Sequence, residues 1–500
     1  MEKSGRSLSE LGLGNLEWHG APADGSVTVT GLCVDSRKTE PGNLFAALPG
    51  TEVHGAEFIP FAVRMDAAAV LTDAEGLKIA ERAMQPVPVP VLVSGEPRRS
   101  LALAAACWFE AQPATMVAVT GTNGKTSVST FVRQIWEELG EAAVNIGTTG
   151  VHGAVTAPLG HTTPEPVTLH ALLAELAGRG VTHAAMEASS HGLAQHRLDG
   201  VRLKAAAFTN ITRDHMDYHD EFVNYFAAKL ALFEGVLPPA AAVVVNMGDP
   251  FGEKVRKTAD ARGQTVLAVG RSESCPLRIL DTRFDAAGLD LRFAWHGKPH
   301  LVRLSLIGGF QGHNALMAAG LAIATGSDPD AVFEALPRLT TVRGRMQLAA
   351  RRRNGATVFV DYAHTPDALA TALNALRPHV LGRLIVVFGA GGDRDRGKRP
   401  LMGRAARDGA DVVFVTDDNP RTEDAAAIRS EILAACPEAT EIGDRAEAIL
   451  AAVDALEPGD TLLIAGKGHE TGQIVGSDVY PFDDLEQASV AVAALDGLGA

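Results

Sequence analysis

The chain has 500 residues, 46% hydrophobic and 21% charged, a balance that excludes a disordered chain and suggests about three domain-sized cores. Its formal charge of −15 excludes the broad basic surface that a nucleic-acid partner demands, while leaving room for local sites that bind small anions. Cys33, Cys107, Cys275 and Cys436 are scattered without metal-ligand spacing, the first 18 residues lack the apolar stretch of a secretion signal, and no run is long and apolar enough for a membrane span. A cytoplasmic location without a membrane partner is the expectation.

Up to about Pro113 the chain reads as short strands and turns. Strands are expected at 27–34 and 87–93, turns at Pro41-Gly42-Asn43 and Pro49-Gly50, and a helix at 101–111 that ends in Gln112-Pro113. This block, 1–112, reads as a smaller N-terminal α/β domain.

The next run is the most informative in the chain. Met116 to Thr120 is an apolar β-type stretch, Gly121-Thr122-Asn123-Gly124 is a glycine turn, and Lys125-Thr126-Ser127 opens a helix expected to reach about Leu139. Strand, glycine loop and helix N-terminus together cradle phosphates. Backbone N–H groups and the helix dipole face the anion, the lysine adds a charge, and the hydroxyl can hold Mg²⁺. The usual spacing places a glycine at 119, where this chain has Val119, so the loop is a shorter variant. ATP is the expected ligand.

Strands expected at 184–188, 205–209 and 241–246 alternate with helices, which makes 113–340 a P-loop ATPase-like domain with a mainly parallel sheet. Glu187-Ala188-Ser189-Ser190-His191-Gly192 follows one of these strands, and Asn210-Ile211-Thr212-Arg213-Asp214-His215-Met216-Asp217 follows another. An acidic residue, a histidine and the hydroxyl of Thr126 or Ser127 can jointly hold Mg²⁺ around a γ-phosphate. Taken alone, His215 fits a hydrogen-bonded structural histidine better than a ligand. Over 221–234, Phe222, Phe226, Leu230 and Phe233 form a helical apolar stripe with Lys229 beside it. Periodicity alone favours a lysine that extends its charge to water. A desolvated lysine can instead react with CO₂ as a neutral amine, and the carbamate so formed suits Mg²⁺.

The third block, 341–500, carries four apolar strands at 356–360, 383–388, 411–415 and 461–465, separated by helices, and reads as a Rossmann-like sheet. Each strand is followed by a polar loop. These are Asp361-Tyr362-Ala363-His364, the run from Gly389 to Arg399, Asp417-Asp418-Asn419-Pro420-Arg421, and Gly466-Lys467-Gly468-His469-Glu470. Parallel neighbours would bring all four loops to one rim, where ligands of open α/β sheets bind. Four solvated loops without a common purpose are the plainer alternative.

Taken together, across nearly the whole chain, these motifs resemble the Mur ligases, ATP-dependent amide-forming enzymes of peptidoglycan assembly. The resemblance rests on Thr120 through Thr126, Glu187-Ala188-Ser189-Ser190, Asn210 through Asp217, His313-Asn314, Asp361 through His364, and Tyr225-Phe226-Ala227-Ala228-Lys229. It implies that Gly121, Thr122, Asn123, Gly124, Lys125, Thr126 and Ser127 hold the ATP phosphates, with Lys125 on the β/γ-phosphates and Asn314 near the adenine. Arg345, Asp361 and His364 would bring the third block onto the nucleotide. Thr126, Glu187, His215 and Lys229, the last as a CO₂-derived carbamate, would position Mg²⁺ directly or through water.

The resemblance extends to the substrates. The N-terminal block looks like the family's uridine-nucleotide domain, with Asp35-Ser36-Arg37 and the loop from Gly50 through Thr51 to Gly55 as contacts. Thr162, Thr163, Ser189, Gln195 and Arg197 would hold the muramoyl dipeptide; His161 stands where relatives carry Asn. Asp418-Asn419-Pro420-Arg421 is similar to the signature of the family's meso-diaminopimelate-adding branch. Arg394, Asn419 and Arg421 would bind carboxylates there, while Glu470 and the Gly466 carbonyl would bind the distal ammonium. Lysine as substrate would leave the Arg421 guanidinium unpaired, at a cost of roughly 2–5 kcal/mol. The reaction implied is phosphorylation of the D-Glu γ-carboxylate of UDP-N-acetylmuramoyl-L-Ala-D-Glu, then attack of the diaminopimelate amine on the acyl phosphate. A monomer is expected. Two rival readings are a folylpolyglutamate-type ligase and a P-loop protein that is no ligase.

Overall fold

The computed structural model describes residues 5–20, 27–50, 53–214, 218–219, 221–285 and 287–497. The chain folds into two compact units. One comprises Met1–Ala118, Glu141–Ala206 and Ala228–Ala241; the other comprises Val119–Gly140, Ala207–Ala227 and Ala242–Ala500.

In the first unit, a five-stranded sheet is ordered Glu17–His19, Val91–Val93, Ala69–Thr72, Asn43–Ala46, Gly31–Cys33. All its pairings are parallel except that of the edge strand Glu17–His19. Leu8, Leu11 and Leu101 belong to one of its apolar clusters and Ile59, Ala62 and Ala80 to another. That is why its strands read as continuous apolar runs. The strand expected at 27–34 is two strands. Thr28–Val29 pairs with Arg6–Ser7 and Gly31–Cys33 joins the five-stranded sheet, with the Thr30 N–H between them donating to Gly42 O at 2.8 Å. The strand expected at 87–93 shortens to Val91–Val93, because Pro86, Pro88 and Pro90 have no N–H to pair. The expected helix is Pro97–Phe109 and stops at Glu110, whose φ of 57° lies in the left-handed region. Farther along, His183–Glu187 runs parallel to Ala143–Gly147, which pairs antiparallel with Gly150–Gly153.

The second unit carries the helix Lys125–Glu138 and the buried helix Gly309–Ala324. Its strands Ala242–Asn246, Thr265–Gly270 and Leu277–Asp285 pair in parallel. An antiparallel meander of Leu277–Asp285, Gly288–Trp295 and Lys298–Leu304 follows, an addition to the mainly parallel sheet expected. Its second turn is a two-residue hairpin, with His296 and Gly297 at φ 45° and 84° between paired Trp295 and Lys298.

The last sheet is ordered Gln347–Arg351, Thr357–Asp361, Thr461–Ala465, Leu384–Phe388, Val412–Val415, Thr440–Glu441. The four expected strands are therefore adjacent and parallel, and their loops do share one rim. Only the edge strand Gln347–Arg351 is antiparallel. A separate hairpin, Gly472–Val475 with Asp478–Pro481, follows the fourth loop.

Candidate active site

The glycine loop has the geometry a phosphate cradle requires. Gly121 and Gly124 take φ of 149° and 86°, and a Cβ on Gly121 would lie 1.9 Å from Thr209 Oγ1. Asn210 fixes the loop from outside. Its carbonyl accepts from Thr122 N at 2.9 Å and its Oδ1 from Asn123 N at 2.9 Å. Thr209 Oγ1 donates to Asn123 O at 2.6 Å, and Thr122 Oγ1 meets the Tyr225 hydroxyl at 3.0 Å. Burial pushes the Tyr225 phenol upward, so it stays a neutral partner. Lys125 Nζ donates to the loop carbonyls of Gly121 at 2.9 Å and Thr122 at 2.8 Å. Thr126 Oγ1 accepts from Arg345 Nη2 at 3.2 Å, and Ser127 is buried behind it.

In the same unit, a cavity of about 540 Å³ is lined by Asn210, Asn246, Arg271, Phe310, His313 and Asn314, among others. Its size and its apolar-with-amide lining suit an aromatic base. Asn314 Nδ2 donates to Gln311 Oε1 at 3.2 Å. His313 Nε2 is buried without a partner among the described residues, and burial lowers that ring to about 4. Arg345 lies over the Tyr362 ring at 4.4 Å, and Asp361 Oδ2 accepts from Met346 N at 2.7 Å. Burial pushes the Asp361 carboxyl above its ordinary range against the pull of Arg345. His364, lowered by burial, bonds Tyr362 O at 2.8 Å through Nδ1. Asp361 and His364 thus hold their own loop in shape, a role the motif alone did not reveal.

The first unit gathers another set. Glu187 is 1% exposed at the end of its strand. Its Oε1 accepts from Thr148 N at 2.9 Å and its Oε2 from Thr148 Oγ1 at 3.1 Å. Thr148 Oγ1 also meets Thr162 Oγ1 at 3.0 Å. Thr163 Oγ1 donates to Glu187 O at 2.9 Å and touches Ser189 Oγ at 3.1 Å, while Arg197 donates to Thr163 O at 2.6 Å and to Gln195 Oε1 at 2.7 Å. Thr162, Thr163, Ser189, Gln195 and Arg197 therefore form one network with Glu187. Thr148, which sequence reasoning missed, is its hub. Lys229 is 1% exposed, so the water-seeking geometry that periodicity favoured is not adopted. The Arg37 guanidinium beside Asp35 pulls that carboxyl down to about 2, while Ser36 opens the intervening turn. Thr51 and His215 lie outside the described residues. Among the described residues, no three His, Cys, Asp or Glu side chains cluster as a metal site of their own.

On the rim of the last sheet, Arg394 and Arg421 have no carboxylate partner among the described residues. Arg394 donates to Asp393 O at 3.0 Å and Arg421 to Gly392 O at 2.8 Å. Arg421 is held at φ 51° by backbone bonds to the hairpin, its N–H to Ile474 O at 3.1 Å and its carbonyl from Gly476 N at 2.7 Å. Opposite in charge are Asp418, 8% exposed and close enough to Gly466 that a Cβ there would stand 2.6 Å from its Oδ2, and the half-buried Glu470. Asn419 Nδ2 donates to Glu470 Oε2 at 2.9 Å. Pro420 carries the turn into Arg421. Two guanidiniums without a carboxylate partner among the described residues, and two carboxylates, in one rim suit an amino acid bearing both a carboxylate and an ammonium at its far end.

Comparison with known proteins agrees with this geometry. The Mur ligase family, catalytic domain matches residues 28–106, the Mur ligase middle domain 119–322, and the Mur ligase glutamate ligase domain 344–468. The UDP-N-acetylmuramoyl-L-alanyl-D-glutamate–2,6-diaminopimelate ligase of Bradyrhizobium diazoefficiens is 52% identical over 95% of this chain and 96% of its own. The Agrobacterium fabrum enzyme of the same name is 51% identical over 95% of both. A solved structure of a ligase with that name is 33% identical, with TM-score 0.70 over 98% of this chain and 99% of its own. The chain belongs to the Mur ligase family.

Proposed function

We propose that the chain is the ATP-dependent ligase that adds meso-2,6-diaminopimelate to the D-Glu γ-carboxylate of UDP-N-acetylmuramoyl-L-Ala-D-Glu in peptidoglycan synthesis. The observation that carries the substrate assignment is the rim of the last sheet, where Arg394 and Arg421 stand without carboxylate partners among the described residues beside Asp418 and Glu470. Near-full-length relatives at about half identity bear the name of that enzyme.

In this reading the glycine loop and Lys125 take the ATP phosphates and the 540 Å³ cavity with Asn314 takes the base. Phosphoryl transfer then needs positioning and charge neutralisation rather than a protein nucleophile. The Thr162–Arg197 network receives the dipeptide, and the N-terminal sheet with Ser36 and Thr51 receives the uridine nucleotide. The domain limits follow the motifs, at 1–112, 113–340 and 341–500. Mg²⁺ falls to Thr126, Glu187, His215 and Lys229, the lysine as a carbamate. The near-complete burial of Lys229 supports that last assignment, because a carbamate anion is a better companion for a divalent cation than an ammonium is. ¹³C-bicarbonate should give a carbamate resonance that is lost in Lys229→Ala. A cytoplasmic monomer completes the reading.

The test of the whole is phosphate release from Mg-ATP and the UDP-dipeptide with meso-diaminopimelate, L-lysine or no amino acid. Release with diaminopimelate alone, matched by tripeptide, is the expected result. Equal rates with lysine would remove the role given to Arg421, and release without any amino acid would remove the ligase.

A further inference from the structure

Lys467 follows a strand in a polar loop, yet its side chain is 0% exposed. Its Nζ donates to Asn419 Oδ1 at 3.0 Å and to Glu470 Oε2 at 3.3 Å. Ile474 N donates to the same Asn419 oxygen at 3.0 Å. Two donors on Oδ1 leave the amide a single orientation, so its NH₂ must face Glu470, and Nδ2 meets Glu470 Oε2 at 2.9 Å. Oε2 is thus taken by protein donors, while Oε1 has no protein partner among the described residues.

A buried ammonium carries a desolvation cost, and a methionine of similar length would fill the space without one. The charge must therefore be sought in what it touches. What it touches is Glu470 Oε2 and the Asn419 amide oxygen, so its charge holds one carboxylate oxygen and leaves the other to a ligand cation. We propose that Lys467 is a positioning residue of the amino-acid site, locking Asn419 and Glu470 into one unit and presenting Glu470 Oε1 to the distal ammonium of the incoming amino acid. Being wholly buried, it acts through those two residues and does not touch the substrate. The assignment rests on the ligase reading above.

The test separates the two. Wild-type protein must first release phosphate in a diaminopimelate-dependent way; if it does not, the ligase reading fails whatever Lys467 does. Given that activity, Lys467→Met should raise the KM for diaminopimelate about tenfold or more, since truncating one member of a hydrogen-bonded charge pair loosens the other. The KM values for ATP and the UDP-dipeptide should stay within about twofold. In a Glu470→Gln background, Lys467→Met should add little further to that KM, because both act on one contact. Ile474→Pro, on the half-buried hairpin strand, removes the second donor to Asn419 Oδ1 and should raise the same KM. An unchanged diaminopimelate KM in Lys467→Met, or all three KM values rising together, would overturn the proposal. So would an unchanged value in Ile474→Pro, whether or not the methionine variant folds.

Discussion

Arg421→Ala tests the group to which the proposed function assigns the choice of amino acid. Arg421 sits at φ 51°, where alanine carries the same Cβ strain as arginine, so the substitution removes the guanidinium without changing the backbone penalty. Its Nη1 is already satisfied in part by Gly392 O at 2.8 Å, and the side chain is only half-buried. Both facts place the loss at the low end of the range for charge pairs, about 2–3 kcal/mol of transition-state binding. That corresponds to a fall of roughly 30- to 150-fold in kcat/KM for diaminopimelate. L-Lysine has no distal carboxylate to lose, so its kcat/KM should hold or rise. Coupled phosphate release with each amino acid, at saturating ATP and UDP-dipeptide, gives the ratio directly. A ratio unchanged within twofold would refute the assignment of Arg421 to the distal carboxylate, even if overall activity fell.

Other consequences are equally concrete. A Cβ on Gly147 would stand 2.0 Å from Glu187 Oε1, so Gly147→Ala should displace that carboxylate, costing about 1–3 kcal/mol of stability and most turnover; full activity would show that the position of Glu187 is immaterial. Arg445 and Asp484 are both 0% exposed and joined by two bonds of 2.7 Å, so Arg445→Met should cost about 3–5 kcal/mol in urea melts, partly recovered by adding Asp484→Leu. Burial lowers His313 to about 4, and burial with the nearby cations Arg345 and Arg343 lowers His469 to about 3, both from 6.5. The unfolded chain therefore binds these protons first on acidification. The stability they preserve is complete above about pH 6.5 and is lost as pH falls toward 4 and 3, by up to about 3 kcal/mol for His313 and about 5 kcal/mol for His469. Urea melts at pH 7 and 5 should show this loss in wild type and a smaller one in His313→Gln/His469→Gln; an equal loss in both would exclude these histidines as its source.

Much of the fold was legible because burial and periodicity coincide in parallel sheets. Thr357–Asp361, Leu384–Phe388, Val412–Val415 and Thr461–Ala465 are apolar runs bounded by glycine or charge, and each was readable within a residue. The meander at 277–304 was passed over, although Leu277–Asp285 alternates buried and exposed residues and His296-Gly297 is a recognisable hairpin turn. The division at Thr30 was not legible, because pairing with Arg6–Ser7 is a long-range event that no local propensity encodes.

The site divides along a similar line. Residue type and spacing nominate groups for a ligand, since phosphate loops and guanidinium–carboxylate recognition demand particular chemistries in a fixed order. Groups that act on other protein groups were missed. Thr148 looks like any threonine after a strand, and Lys467 looks like a solvated loop lysine between two glycines. What distinguishes them is burial and the atoms they meet: Thr148 with both oxygens of Glu187, and Lys467 with Asn419 and Glu470. Asn419 shows the consequence for interpretation. Its motif assigns it to a substrate carboxylate, yet its oxygen is engaged by Lys467 and Ile474 N and its amide by Glu470. In the proposed site its effect on the amino acid would run through the orientation of Glu470 and through the second hydrogen of its amide. A motif can name the residues of a site, but only the network around them shows which one the ligand meets.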